Sequence, residues 1–181
     1  MLLMQMPLPR SLQAEGAEDS FIRTLSQMQD DLRRDYVTGA YNAVYLNEQY
    51  RPIAERAAMS GTPVGVVMVR VNEYWQLREH ESDSAANCCL NMAAGILQLA
   101  VGPDHDKAVL ARLNDGFFAI VTIGTPAARM AQTVREAMND SRREFNISLS
   151  RRGSFTVEIA SAEWGETASW DMTLSLAQQR L

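Results

Sequence analysis

Ala108-Val-Leu-Ala-Arg-Leu-Asn-Asp-Gly-Phe-Phe-Ala-Ile-Val-Thr122 reads as two apolar strands, Ala108 to Leu113 and Phe117 to Thr122, around Asn114-Asp-Gly116. Asn, Asp and Gly between β-type runs mark a tight hairpin, because all three tolerate the backbone angles of a short turn. On the N-terminal side, Val64-Gly-Val-Val-Met-Val-Arg-Val71 is an apolar, β-branched run, as expected of a strand covered on both faces. Tyr74 to Ala100 reads as helix, with a soft spot at Glu81 to Ser84 and a core face of Leu90, Ala93, Ala94, Leu97 and Leu99. Gly102-Pro-Asp-His105 turns the chain into the hairpin. Beyond the hairpin come a helix from Pro126 to Phe145, a strand from Phe155 to Ala162, and a last helix from Leu174 within which the sequence ends. The order β-α-β-β-α-β predicts an α/β (α+β) fold with a ferredoxin-like split core.

Upstream, a helix from about Asn42 to Met59 places Tyr45, Leu46, Tyr50, Ile53, Ala54 and Ala57 on one side, and Ser60-Gly-Thr-Pro63 closes it. Residues 1 to 18 read as a leader, since Pro7, Pro9 and Gly16 discourage regular structure. From Asp19 a helix carries Ile22, Leu25, Met28 and Leu32 at helical spacing. That narrow stripe suits either a seam between two helices or packing on its own domain.

The bulk numbers bound the function. A chain of 181 residues is about one domain. A net charge of -5 is unlike the basic surface that duplex nucleic acid selects. Lys107 is the only lysine among 17 basic residues, the rest being arginine. Cys88 and Cys89 are adjacent, so they are expected to be reduced core residues in a cytoplasmic setting. With two histidines, His80 and His105, no spacing resembles a zinc site. No uninterrupted run of about 18 apolar residues predicts a membrane span. Met1 to Pro9 has no charged leader or cleavage site, so it is not read as a signal peptide. Gly-rich phosphate loops and nucleophile elbows are absent from the sequence.

Asp35-Tyr-Val-Thr-Gly-Ala-Tyr-Asn42, Arg112-Leu-Asn-Asp-Gly-Phe-Phe118, Thr156-Val-Glu-Ile159 and Leu176-Ala-Gln-Gln-Arg-Leu181 occur in this order. They resemble, respectively, the D-x-L-T-G-L-x-N opening, the R-x-G-G-D-E-F hairpin, the T-V-S-I strand and the A-D-x-A-L-Y helix of GGDEF domains. That family makes cyclic di-GMP from two GTP. The similarity runs from Asp35 to Leu181, about four fifths of the chain. It implies a leader and signalling-type helix over residues 1–34 and a GGDEF domain over 35–181 with its last helix cut short.

The departures remove what the chemistry needs. Where the family has D-x-D-x-F-K-x-x-N-D, this chain has Arg70-Val-Asn-Glu-Tyr-Trp-Gln-Leu-Arg-Glu79. By that resemblance Arg70 replaces a metal-binding aspartate, Trp75 a phosphate-binding lysine, Arg78 a guanine-reading asparagine and Asn87 a later aspartate. The signature itself is Asn114-Asp115-Gly116-Phe117-Phe118, with Gly116 and Phe117 at its acidic positions. The product-binding R-x-x-D window reads His105-Asp-Lys-Ala108. Phosphoryl transfer of this kind rests on metal-based electrostatics, so the expectation is a non-enzymatic domain with no metal and no cofactor.

Two functions remain open. One is a protein-interaction or signal-transmission module, with another GGDEF protein or an EAL protein as partner and a homodimer through the N-terminal helix. The other is a guanine-nucleotide receptor, for cyclic di-GMP or GTP, built on Arg70, Asn72, Arg78 and Asn87. An enzyme with unusual ligands would have only Glu73 and Asp115 to offer, and Glu73 is expected beyond its strand and facing outward. Any membrane link would come through an upstream segment, with this domain cytoplasmic.

Overall fold

The computed structural model describes residues 10–104, 106–148 and 155–181. The chain forms two compact units, Met1–Arg33 and Arg34–Leu181. In the first, helix α1 spans Arg10–Arg33. It begins well before Asp19 and runs through Gly16, so half of the expected leader is helical. One glycine costs a helix only about 1 kcal/mol against alanine, which its neighbours can offset. The apolar stripe is open, with Phe21, Ile22, Leu25, Met28 and Leu32 all exposed.

The second unit is built on a five-stranded sheet in the order β1-β3-β4-β2-β5. The strands are β1 (Tyr41–Asn42), β2 (Val64–Val71), β3 (Ala108–Asn114), β4 (Phe117–Ile123) and β5 (Val157–Glu163). β2 lies between β4 and β5 and is antiparallel to both. With the crossover helices α5 (Asp83–Val101) and α6 (Ala127–Ser148), the path β2-α5-β3-β4-α6-β5 is the expected split β-α-β-β-α-β core. β1 was not expected. It is two residues long and pairs parallel to β3, too short for any periodic signal.

Side-chain alternation in β2 fixes the layers. Val67, Val69 and Val71 face one core with Leu90, Ala93, Ala94 and Leu97 of α5 and Ala131 and Val134 of α6. Val66 and Met68 face a second core with Leu46, Tyr50, Ala54, Trp170 and Ala177. The last two come from α8 (Trp170–Gln179), which starts four residues earlier than Leu174 because Ser169 caps it, accepting from the Met172 N–H. A short helix, α7 (Trp164–Thr167), precedes it. α5 has the length and hydropathy of a membrane span, but its buried side is the helix layer over the sheet.

The helix before β2 is in three parts: α2 (Ala43–Tyr45), a π-turn over Leu46–Tyr50 and α3 (Arg51–Met59). Pro52 has no N–H to give the carbonyl one turn back, so the wider turn falls where an α-helix would be interrupted. The π-turn adds a residue and rotates α3 about the helix axis. Ile53, expected inside, is therefore 44% exposed while Ala54 is buried. Leu99, also expected inside, is exposed. It lies two residues beyond Leu97, about 200° round a helix of 3.6 residues per turn. Cys89 is buried as expected, but Cys88 is exposed.

Candidate functional site

The site lies where the C-terminal end of β2, the β3–β4 turn, the start of β5 and the helix α4 (Tyr74–His80) meet. Strand register lines up Phe117, Arg70 and Glu158 as partners across β4, β2 and β5. Partners in a register share a face, so the three side chains stand in one row. The Arg70 guanidinium (Nη2) pairs with the Glu158 carboxylate, and its Nε donates to Asn72 Oδ1 at 3.3 Å. Arg70 thus takes a carboxylate on the neighbouring strand. Both side chains are about two-fifths exposed, and such a pair is worth about 0–1 kcal/mol. Its significance is therefore its position rather than its contribution to stability.

Asn72 and Glu73 tie the same corner to Thr156. The Asn72 N–H donates to the Thr156 carbonyl at 3.1 Å, and Asn72 Nδ2 to Thr156 Oγ1 at 3.2 Å. Glu73 lies beyond β2 as expected, but it is half-buried and turned to Thr156 rather than outward. Its two carboxylate oxygens accept from the Thr156 N–H and hydroxyl, both at 2.7 Å. Glu73 also adds to the burial that pushes the Cys89 thiol up to about 12.

On the other flank, Arg78 of α4 donates through Nε to Asp83 Oδ1 at 3.0 Å and through Nη1 to the Tyr74 hydroxyl at 3.3 Å. Its Nη1 stands 3.9 Å from Asp115 Oδ1, and its guanidinium lies 5.4 Å from the centre of the half-exposed Trp75 ring. Asn87 is half-buried in the first half of α5. The four expected contact residues thus fall into separate groups: Arg70 with Asn72, Arg78 with the turn, and Asn87 on α5. His105 of the expected product-binding window lies outside the described residues.

The turn is two residues, Asp115 and Gly116, shorter than the three expected, with a bulge in β3 at Arg112–Asn114. Asp115 adopts φ 35°, the left-handed region that Asp tolerates better than most residues. Gly116 is needed for room. A Cβ there would lie 3.0 Å from Tyr74 Cβ and 3.0 Å from the Val71 carbonyl oxygen. Phe118 is fully buried and Phe117 half-buried.

Arg112 holds the turn to the loop before β1. Its Nη1 donates to both Asp35 oxygens, at 3.1 and 3.2 Å, while Nε and Nη2 donate to the Asp115 carbonyl. Asp35 also accepts from the Thr38 N–H and hydroxyl. Burial pushes its carboxyl up, but the bonds from Thr38 and Arg112 outweigh that and hold it below its ordinary value. Gly39, at φ 69°, closes the loop. Among the described residues no three or more His, Cys, Asp and Glu side chains come together as a metal-holding group.

A split β-α-β-β-α-β core with its site at the β3–β4 turn defines a GGDEF-type fold. The family model for the diguanylate cyclase GGDEF domain matches residues 32–181, and the chain belongs to that family. The coiled-coil and GGDEF portion of DgcB from Caulobacter crescentus, solved with cyclic di-GMP, matches with TM-score 0.76 and 17% identity over 94% of this chain and 89% of that one. The FimX GGDEF domain from Pseudomonas aeruginosa matches with TM-score 0.67 and 21% identity over 82% and 90%. The diguanylate cyclase SiaD from Pseudomonas aeruginosa, solved with its activator SiaC, matches with TM-score 0.67 and 17% identity over 94% and 66%.

Proposed function

We propose that this chain is a non-catalytic GGDEF domain that acts by protein contact within cyclic di-GMP signalling. The observation that carries the reading is the row Phe117–Arg70–Glu158. The family resemblance puts a metal-binding carboxylate at position 70 and the acids of the signature at positions 116 and 117. Here position 70 holds a guanidinium already neutralised from β5, and the two signature positions hold a glycine and an aromatic ring. The acids nearby are committed elsewhere: Glu73 to Thr156, and Asp115 to the turn and Arg78. With no divalent charge to offset the phosphates, the electrostatic stabilisation that this transfer needs is missing.

The open apolar stripe of α1 fits a second copy of the same helix, so we read the domain as a dimer that relays or receives a signal through that helix. A partner from the same signalling system, a GGDEF or EAL protein, fits this role. SiaD, with its bound activator, is a member that works alongside another protein. We place the domain in the cytoplasm, or as the cytoplasmic part of a membrane protein. The nucleotide-receptor reading has less support, because Arg70 and Arg78 are both engaged by carboxylates of this chain.

The test is incubation of the protein with GTP and Mg²⁺, with cyclic di-GMP followed by chromatography, beside calorimetric titrations of both nucleotides. The expected result is no product and no saturable heat. Metal-dependent product would make it an enzyme, and binding lost in Arg78→Ala would make it a receptor.

A further inference from the structure

β5 is an outer strand of the sheet, and an outer strand offers its unpaired backbone groups to any other strand. The register determines which groups face outward. The Asn72 N–H points to β5, reaching the Thr156 carbonyl. Arg70 and Met68 therefore bond with Glu158 and Ala160, and the N–H and C=O groups of Val157, Ile159, Ser161 and Glu163 point away from the sheet.

At each of the last three of these positions one backbone group is met by a side chain. Arg135 of α6 donates through Nη2 to the Ile159 carbonyl at 3.1 Å. Arg180, after α8, donates through Nη1 to the Ser161 carbonyl at 2.8 Å. The Glu163 N–H donates to Glu166 Oε1 at 2.9 Å, and that carboxylate also holds Arg180. The two arginines come from helices on opposite faces of the sheet. Arg135, Arg180, Glu163 and Glu166 all lie apart from the site at the start of β5, and the Arg135, Arg180 and Glu166 side chains are exposed.

We propose that Arg135, Arg180 and Glu166 form a guard on the β5 edge, occupying one outward group at each of three successive positions through which a second copy of this chain would extend the sheet, and so keep the domain from associating edge to edge. A second copy is the natural occupant. Two β5 strands related by a two-fold axis run antiparallel and present the same outward groups to each other. The opposite edge needs no such device, since β1 is only two residues long. Donation from Arg180, then from the Glu163 N–H, holds the Glu166 carboxyl at about 2. The guard therefore stays ionised at ordinary pH and is not a pH switch.

The experiment compares the full chain with Arg135→Ala/Arg180→Ala by light scattering over a concentration series, with amide exchange read at Ile159 and Ser161. Both substitutions are at the surface, and circular dichroism checks the fold. The expected result is a mass that rises with concentration above that of the unmodified chain, with slowed exchange at both amides. Adding Ser161→Pro, which an outer strand tolerates but a paired one does not, should return the mass to the starting value. An unchanged mass would overturn the proposal. So would an increase that leaves the Ile159 and Ser161 amides unprotected or survives Ser161→Pro.

Discussion

Arg112→Ala is expected to cost about 3 kcal/mol of folding stability, near the lower end of what removing one partner of a buried ion pair costs. The side chains of Arg112 and Asp35 are only 12% and 17% exposed. The truncation leaves the Asp35 carboxylate buried without its cation, and the Asp115 carbonyl without two donors. Denaturant unfolding reads the loss directly. Asp35→Asn in the same background should recover part of it, because the stranded charge is gone. The pH dependence has a definite sign. A carboxyl held below its ordinary value contributes stability that is fully present above the unfolded value of 3.8 and is lost as the pH falls through the folded value. The unmodified chain should therefore lose stability below pH 3.8 more steeply than Asp35→Asn does.

Gly116→Asp, made alone or with Phe117→Glu to rebuild the acidic signature, is expected to destabilise the domain by about 1–3 kcal/mol and to bring back no activity. Added atoms at position 116 meet Tyr74 and the backbone of Val71 at 3.0 Å, and overfilling a packed site costs in that range. The Val71 N–H also bonds the Gly116 carbonyl at 2.9 Å, so the turn cannot move away without breaking a bond to β2. Gly116→Asp/Phe117→Glu still faces the Arg70–Glu158 pair. Unfolding midpoints and a GTP turnover assay measure the two parts of this expectation separately.

The core was legible because β2, the hairpin and α5 carry strong periodic patterns with turn residues between them. What escaped has physical causes. β1 is two residues held by β3, so no pattern exists to read. The π-turn at Leu46–Tyr50 shifts the helical phase, which put Ile53 on the wrong side. α8 begins at Trp170, behind a Ser169 cap that no apolar periodicity marks. At the site, the replacement of acids by Arg70, Gly116 and Phe117 was visible in the chain. The compensating residue, Glu158, was not, because its pairing with Arg70 depends on cross-strand register 88 residues apart. Glu73 was misplaced for the same reason: its partner Thr156 is distant in sequence. The Glu166–Arg180 bracket over β5 is likewise a tertiary contact, invisible to spacing.

The central claim is that the end of β2 at Arg70 and the turn at Gly116 and Phe117 hold no divalent cation, and Mn²⁺ titration of the isotopically labelled chain followed by NMR tests it most directly. The account predicts no selective line broadening of the amides from Arg70 to Glu73 or from Asn114 to Phe118. Saturable broadening centred on those two segments would show that a metal site survives there and would contradict it.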